Sequence, residues 1–185
     1  MGYRLIRSRR KSVAVYVREG GALEVRAPMK TPVWRIDAFL EAKAGWIEER
    51  RAKLRTEDER REIVCLGGDD IKRHRRALLE YLDGKLPGYA ALLGVGYGRV
   101  RVGGASKRWA SCTSDGNLSF SYRMALLDPG LIDYIVVHEL AHRREMNHSA
   151  EFWKIVEGVL PDFRERRKAL RTFSRRVKIV ETEKI

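Results

Sequence analysis

Residues 138–148 read His138-Glu139-Leu140-Ala141-His142-Arg143-Arg144-Glu145-Met146-Asn147-His148. This stretch holds three of the four histidines in the chain. On a helix, residues four apart lie one turn above each other, so the imidazoles of His138 and His142 can reach one ion. A third ligand from His148 requires the helix to end after His142, so that the chain turns back. Asn147 is expected to supply that turn.

Three neutral imidazoles suit zinc and leave a fourth position open to water. Glu139 projects about 100° around the helix from His138, which predicts a general base beside the ion rather than another ligand. Zn²⁺ is therefore the expected cofactor, and spacing alone also allows another divalent transition metal. Glu145 and Glu151 are alternative carboxylate ligands, but surface pairing is the favoured explanation for each.

The residues on either side of the histidine motif show sequence patterns typical of helices and of strands. Apolar residues at helical spacing follow Asp128-Pro129, a favourable helix start, and predict a helix from there to about Met146. Two segments of alternating polarity, 97–102 and 117–123, predict strands that pair with each other across a connection at 103–116. Further helices are predicted over residues 31–62, 70–93, 149–160 and 162–174, and the tail after Ser174 is left unassigned.

The N-terminal residues alternate in the manner of strands over 3–7, 13–17 and 23–25, with a turn at Gly20-Gly21. These segments predict a small antiparallel sheet, and with the helices they indicate an α+β fold. The loop at 66–70 is the expected boundary between an N-terminal hairpin and helix subdomain, residues 1–66, and a metal-binding catalytic domain, residues 67–185. A single compact unit is the alternative.

The chain has a net charge of +13, but the charge is unevenly distributed. Residues 111–160 carry 4 Lys and Arg against 7 Asp and Glu, whereas every other part of the chain is basic. Basic flanks can attract a nucleic acid, a phosphorylated small molecule or an acidic protein, or simply form a solvated surface. No apolar run approaches the roughly 20 residues that span a bilayer, and no signal peptide is visible. A cytoplasmic protein without a membrane partner is expected.

Eight short motifs together resemble the YgjP-like metallopeptidase family, a relative of the SprT-like and zincin hydrolases. They are Arg7-Ser8-Arg9-Arg10-Lys11, Ala27-Pro28, Trp46-Ile47, Arg108-Trp109-Ala110-Ser111-Cys112, Asp133-Tyr134, His138-Glu139-Leu140-Ala141-His142, Met146-Asn147-His148-Ser149 and Phe152-Trp153. Family members usually have Gly in place of Ala110 and often Cys in place of Ala141. Neither departure affects a predicted ligand.

The resemblance implies a zincin-like helical catalytic half whose HExxH helix places zinc on His138, His142 and His148, with Glu139 as acid and base. A peptidase is the expected function, with strand 117–123 offering its edge to an extended peptide. The first alternative is a pyrophosphohydrolase of nucleoside triphosphates such as UTP, which uses the same metal site. The second alternative is a nucleic-acid-associated protease that docks through the basic flanks.

Four further residues are candidates for substrate binding. Arg108 and Arg123 could neutralise charge on phosphate oxygens, and Trp109 or Tyr122 could stack on a base. For the two aromatic residues, packing is the commoner explanation. Ser111 and Cys112 have no histidine nearby in sequence, so they are expected to be structural rather than nucleophilic.

Overall fold

The computed structural model describes residues 2–182. Contacts divide the chain into two compact units, Met1–Arg61 and Glu62–Ile185, and each has its own apolar core. Helices and short sheets are present in both units, which confirms the predicted α+β class. Within the described residues, no helix is both long and apolar enough to cross a membrane.

The first unit is a three-stranded sheet followed by two helices. Its elements are β1 (Arg4–Ser8), β2 (Ala14–Val17), β3 (Leu23–Pro28), α1 (Val33–Ala42) and α2 (Ala44–Glu59). The hairpin predicted at Gly20-Gly21 joins β2 to β3, and these strands are antiparallel. The prediction of a purely antiparallel sheet is wrong, because β1 pairs with β3 in parallel. β3 takes the central position because it supplies the most buried side chains, Leu23, Val25 and Ala27.

A single helix was predicted over residues 31–62, but the structure has a break at Lys43. Gly45 lies two residues further on, in the first turn of α2, and glycine is a weak helix former. α1 buries Ile36 and Leu40, whereas α2 buries Ile47 alone. The charged remainder of α2 is therefore helical but mostly solvated, as its composition indicates.

The second unit contains the histidine motif. Its elements are β4 (Glu62–Leu66), α3 (Gly68–Leu93), β5 (Val100–Gly103), β6 (Ala110–Cys112), β7 (Leu118–Ser121), α4 (Pro129–Ala141), α5 (Ala150–Val159), α6 (Phe163–Arg176) and β8 (Val177–Glu181). α4 is buried on nearly all sides, and Val136, Val137, Leu140 and Ala141 are fully inaccessible. A helix that is apolar all round belongs in the centre of a core. The helix that carries the histidines is thus held rigidly.

The predicted pairing of the strands near residues 100 and 118 is confirmed, and β5 and β7 are parallel. The connection between them contains a strand that was not predicted, β6, which pairs antiparallel with β7. β7 is therefore the central strand of this sheet. The expectation that segment 117–123 offers a free edge is wrong, since both edges of β7 are occupied. The outer strands of this sheet are β5 and β6.

β4 and β8 form a separate parallel pair that the sequence did not predict. β8 falls in the tail that was left unassigned, and β4 follows the charged helix α2. More than a hundred residues separate these two strands, so nothing in the local pattern of either one indicates its partner.

Candidate metal centre

His138 lies on α4, and His142 lies one turn later as the C-cap of that helix. Their ring centroids are 5.0 Å apart. α4 begins at Pro129 after the N-cap Asp128, as predicted, but it ends at Ala141 rather than near Met146. His142 is buried and His138 is half-buried. Because the helix is packed on all sides, both imidazoles have little freedom to move.

His148 returns to the same place after a tight turn. The backbone N–H groups of Arg143 and Arg144 donate to the carbonyls of Leu140 and Ala141, so the chain leaves the helix at once. Asn147 does not supply the turn through a left-handed conformation, because no described residue other than glycine has positive φ. Nε2 of His148 then lies 3.0 Å from Nε2 of His138.

The three histidines together meet the requirements of a metal site. Their candidate ligand atoms all lie within 4.8 Å of one another, and they are the one such group of three among residues 2–182. Two nitrogens bound to tetrahedral zinc at about 2.05 Å are separated by about 3.3 Å, close to the observed 3.0 Å. Glu145 and Glu151 are not part of this group, and Glu151 pairs with Lys154.

Protonation and hydrogen bonding also favour metal binding. Burial, with the neighbouring His142 and His148, lowers the pKa of His138 to about 3, and burial lowers the pKa of His142 as well. Both imidazoles are therefore neutral near pH 7. Nδ1 of His142 lies 3.1 Å from the carbonyl oxygen of Glu145. The oxygen can only accept, so Nδ1 carries the proton and Nε2 is free to bind a metal.

Two aromatic side chains of α5 pack against the histidines. The ring of Phe152 is fully buried and lies 4.9, 4.6 and 4.8 Å from the rings of His138, His142 and His148. Trp153 stacks on His148 at 5.7 Å. Ser149 starts this helix by accepting from the N–H of Phe152. From the sequence, Phe152-Trp153 was identified only as one motif of the family resemblance. Its place in the first turn after the Ser149 cap was a usable signal.

Glu139 faces a different neighbour from the histidines. Its side chain is buried, with 7% exposure, and it accepts a hydrogen bond from the backbone N–H of Cys112 in β6. Burial raises its pKa to about 7, while Arg108 and the Cys112 hydrogen bond oppose that shift. Sequence reasoning did not find the backbone donor, because strand β6 was not predicted. Burial also raises the pKa of the Cys112 thiol, which agrees with a structural role for that side chain.

The four candidate substrate residues lie in different surroundings. Arg108 is exposed and close enough to Glu139 to affect its pKa. Trp109 packs on Phe173 at 6.0 Å and donates to Ser174, so its contacts are with α6.

The other two candidate substrate residues, Tyr122 and Arg123, already have contacts within the protein. Tyr122 is 2% exposed and begins a 3-10 turn, Tyr122–Leu126, rather than ending a strand. Arg123 pairs with Glu181 at 2.6 Å. Tyr122 thus offers no stacking face, and Arg123 already has a carboxylate partner.

The outer edge of β6 runs past Glu139. In the ladder with β7, Trp109 and Thr113 direct their carbonyl oxygen and N–H toward that strand, where they bond with Ser121 and Asn117. Main-chain groups alternate in direction along a strand. Those of Ala110 and Cys112 therefore point outward, and the Cys112 N–H is the one that reaches Glu139.

The sequence matches a known protein family. The family model described as "YgjP-like, metallopeptidase domain" matches residues 11–72 and 70–173. No curated protein matches the chain. The metallopeptidase zymogen abylysin of Pyrococcus abyssi is similar, with 25% identity and a TM-score of 0.47 over 52% of this chain and 97% of that one. The metallopeptidase zymogen jannalysin of Methanocaldococcus jannaschii has 16% identity and a TM-score of 0.44 over 49% and 94%.

Proposed function

The chain belongs to the YgjP-like metallopeptidase family and is a metal-dependent hydrolase, and on that premise we propose that it is a zinc peptidase. The observation that carries the proposal is the convergence of three imidazoles, with ligand atoms within 4.8 Å of one another, beside a buried carboxylate. His138, His142 and His148 would hold the ion. Zinc bound there would supply a Lewis acid that polarises a carbonyl and lowers the pKa of water.

Glu139 is proposed as the general base. Its neighbour in sequence is a proposed ligand, yet its carboxylate turns toward β6, where the Cys112 N–H fixes one side of it. A carboxylate held in this way can take a proton from the attacking water and pass it to the departing amine. A purely structural metal site would have no need for a buried carboxylate at this position.

The outer edge of β6 is proposed to bind the peptide backbone. The outward N–H and carbonyl of Ala110 and the outward carbonyl of Cys112 can pair with an extended peptide, as an added strand does, while the Cys112 N–H donates to Glu139. Such a peptide would pass beside Glu139, because Cys112 bonds to that side chain. β6 is only three residues long. A short edge strand is less prone to pair with the strands of other protein molecules.

The two alternative functions have less support. Two of the four residues predicted to bind a nucleoside triphosphate are Tyr122 and Arg123. Tyr122 is buried, and Arg123 forms an ion pair with Glu181. Docking of a nucleic acid through the basic flanks rests on charge alone and remains a prediction, as does a cytoplasmic location.

The test is hydrolysis by zinc-loaded protein of unfolded or peptide substrates, and of nucleoside triphosphates, side by side. Glu139→Gln should abolish peptide cleavage while zinc content, measured by mass spectrometry, stays at one ion per chain. Glu151→Gln is the matched control, because it removes an exposed carboxylate near the motif, and it should cleave at the wild-type rate. Triphosphate hydrolysis that depends on Glu139, without peptide cleavage, would overturn the proposal.

A further inference from the structure

Arg167 lies on α6 beside the three histidines. Its guanidinium carbon is 4.3 Å from the ring centroid of Trp153, and that ring is 5.7 Å from the ring of His148 and 5.8 Å from that of His138. The guanidinium therefore lies at most about 10 Å from either imidazole. It is half-buried, and it lies close enough to His138 to act on that imidazole electrostatically.

Among the residues that the structure describes, no carboxylate forms an ion pair with Arg167. On the same helix, Arg164 pairs with Glu157 and Arg166 pairs with Asp162. Over residues 2–182, neither Arg167 nor Arg171, one turn further along α6, takes part in an ion pair. Both are close enough to Tyr134 of α4 to interact with it electrostatically, so two cations face the helix that carries the proposed ligands.

Stacking on Trp153 leaves the binding capacity of Arg167 intact. The guanidinium contacts an aromatic ring through its face, whereas its N–H donors lie in its own plane and point outward. A stacked guanidinium can therefore still form two parallel hydrogen bonds to a carboxylate, and the stacking fixes its orientation.

We propose that Arg167, assisted by Arg171, is a subsite for a carboxylate of the substrate; this rests on the proposed peptidase function. An extended peptide advances about 3.3 to 3.6 Å per residue. A distance of at most about 10 Å then places the recognised carboxylate within about three residues of the bond that is cleaved. The carboxylate can belong to a Glu or Asp side chain or to a free C-terminus, and the experiment distinguishes these two sources.

The experiment measures binding by calorimetry to the zinc-loaded Glu139→Gln protein at about 0.15 M salt, where distant surface charges are screened. The probes are octapeptides of one sequence with Glu, Gln or Lys at a central position and both ends blocked, and the Gln peptide with a free C-terminus. We expect the Glu peptide or the free-ended peptide to bind about tenfold tighter than the blocked Gln peptide. Whichever of the two does so identifies the source.

Variants at α6 assign the preference to a residue. Arg167→Gln should remove it, and Arg167→Lys should restore only part of it, since lysine keeps the charge without the planar fork. Lys168→Gln is the matched control, because it removes one exposed cation from the same helix, and it should keep the preference. Circular dichroism checks that each variant is folded. A purely structural Arg167 would change affinity for all peptides equally.

Equal affinity for all four peptides, absence of binding, or a preference that survives in Arg167→Gln would overturn the subsite. Cleavage of the same peptides by zinc-loaded wild-type protein is a separate readout. Selective binding without any cleavage would overturn the peptidase proposal and leave the carboxylate subsite standing.

Discussion

Gly116 is the position where the structure makes the sharpest prediction for stability. It lies in the turn between β6 and β7 with φ of 85°, and a Cβ placed there would be 2.7 Å from Cζ and Nε of Arg143. Arg143 follows the proposed ligand His142 and donates to the carbonyls of Gly96 and Ser114. Arg143 thus ties the end of α4 to two neighbouring loops.

Gly116→Ala is expected to destabilise the second unit by about 3 kcal/mol. The left-handed conformation costs an alanine about 1 to 2 kcal/mol. The guanidinium must also move away, which breaks hydrogen bonds worth about 1 kcal/mol each. In an Arg143→Ala background only the backbone cost remains, so Gly116→Ala should then cost about 1 to 2 kcal/mol. The difference is the coupling between the two residues.

Urea unfolding followed by circular dichroism measures all four proteins of this cycle, with EDTA present so that metal binding does not contribute. Gly103→Ala is the control, since its φ is not in the left-handed region and nothing lies within 4 Å of its Cβ; it should be nearly neutral. The same cost for Gly116→Ala in both backgrounds would refute the role of Arg143. A cost near zero would refute the conformational argument as well.

Three other measurements test the site and its support. Phe152→Leu should weaken zinc binding about tenfold in a chelator competition, because it removes the ring that contacts all three imidazoles. Val156→Ala, in the same helix, should lower stability and leave zinc affinity unchanged; equal effects would contradict this. Zinc should raise the wild-type Tm, and His148→Ala should abolish the increase; an undiminished increase would place the metal elsewhere. Burial and a hydrogen bond to Asp133 raise the pKa of Tyr89 to about 12, so its contribution to stability is present below pH 10 and lost as the pH rises to about 12. Tyr89→Phe should flatten that part of the pH dependence of the free energy of unfolding, and an unchanged slope would exclude Tyr89 as its cause.

Local sequence patterns were sufficient to predict several elements of the protein. The hairpin at Gly20-Gly21, the start of α4 at Pro129 and the cap of α5 at Ser149 each depend on a few neighbouring residues. The helical spacing of His138 and His142 follows from the same kind of short-range geometry. These features could be predicted because the chain within one or two turns supplies all the interactions that produce them.

The main errors in the prediction from sequence concerned which strands pair. Strand pairing depends on contacts between residues that are distant in sequence. β6 and β8 are short, and the pairing of β8 with β4 joins segments at opposite ends of the second unit. The same lack of long-range information made β7 look like an edge strand and Tyr122 look accessible. A strand of three to five residues has almost no preference of its own, so the surrounding packing selects its partner.

By itself, the sequence determined the chemistry available to this protein: three imidazoles and a carboxylate on one helix and the turn after it, in a pattern typical of a metallopeptidase family. Only the tertiary structure decided which side chains surround that chemistry. It placed Phe152 behind the imidazoles, the Cys112 N–H on Glu139, and Arg167 over Trp153. These contacts join elements distant in sequence, and burial, which also sets the pKa of Glu139, exists only once those elements pack together.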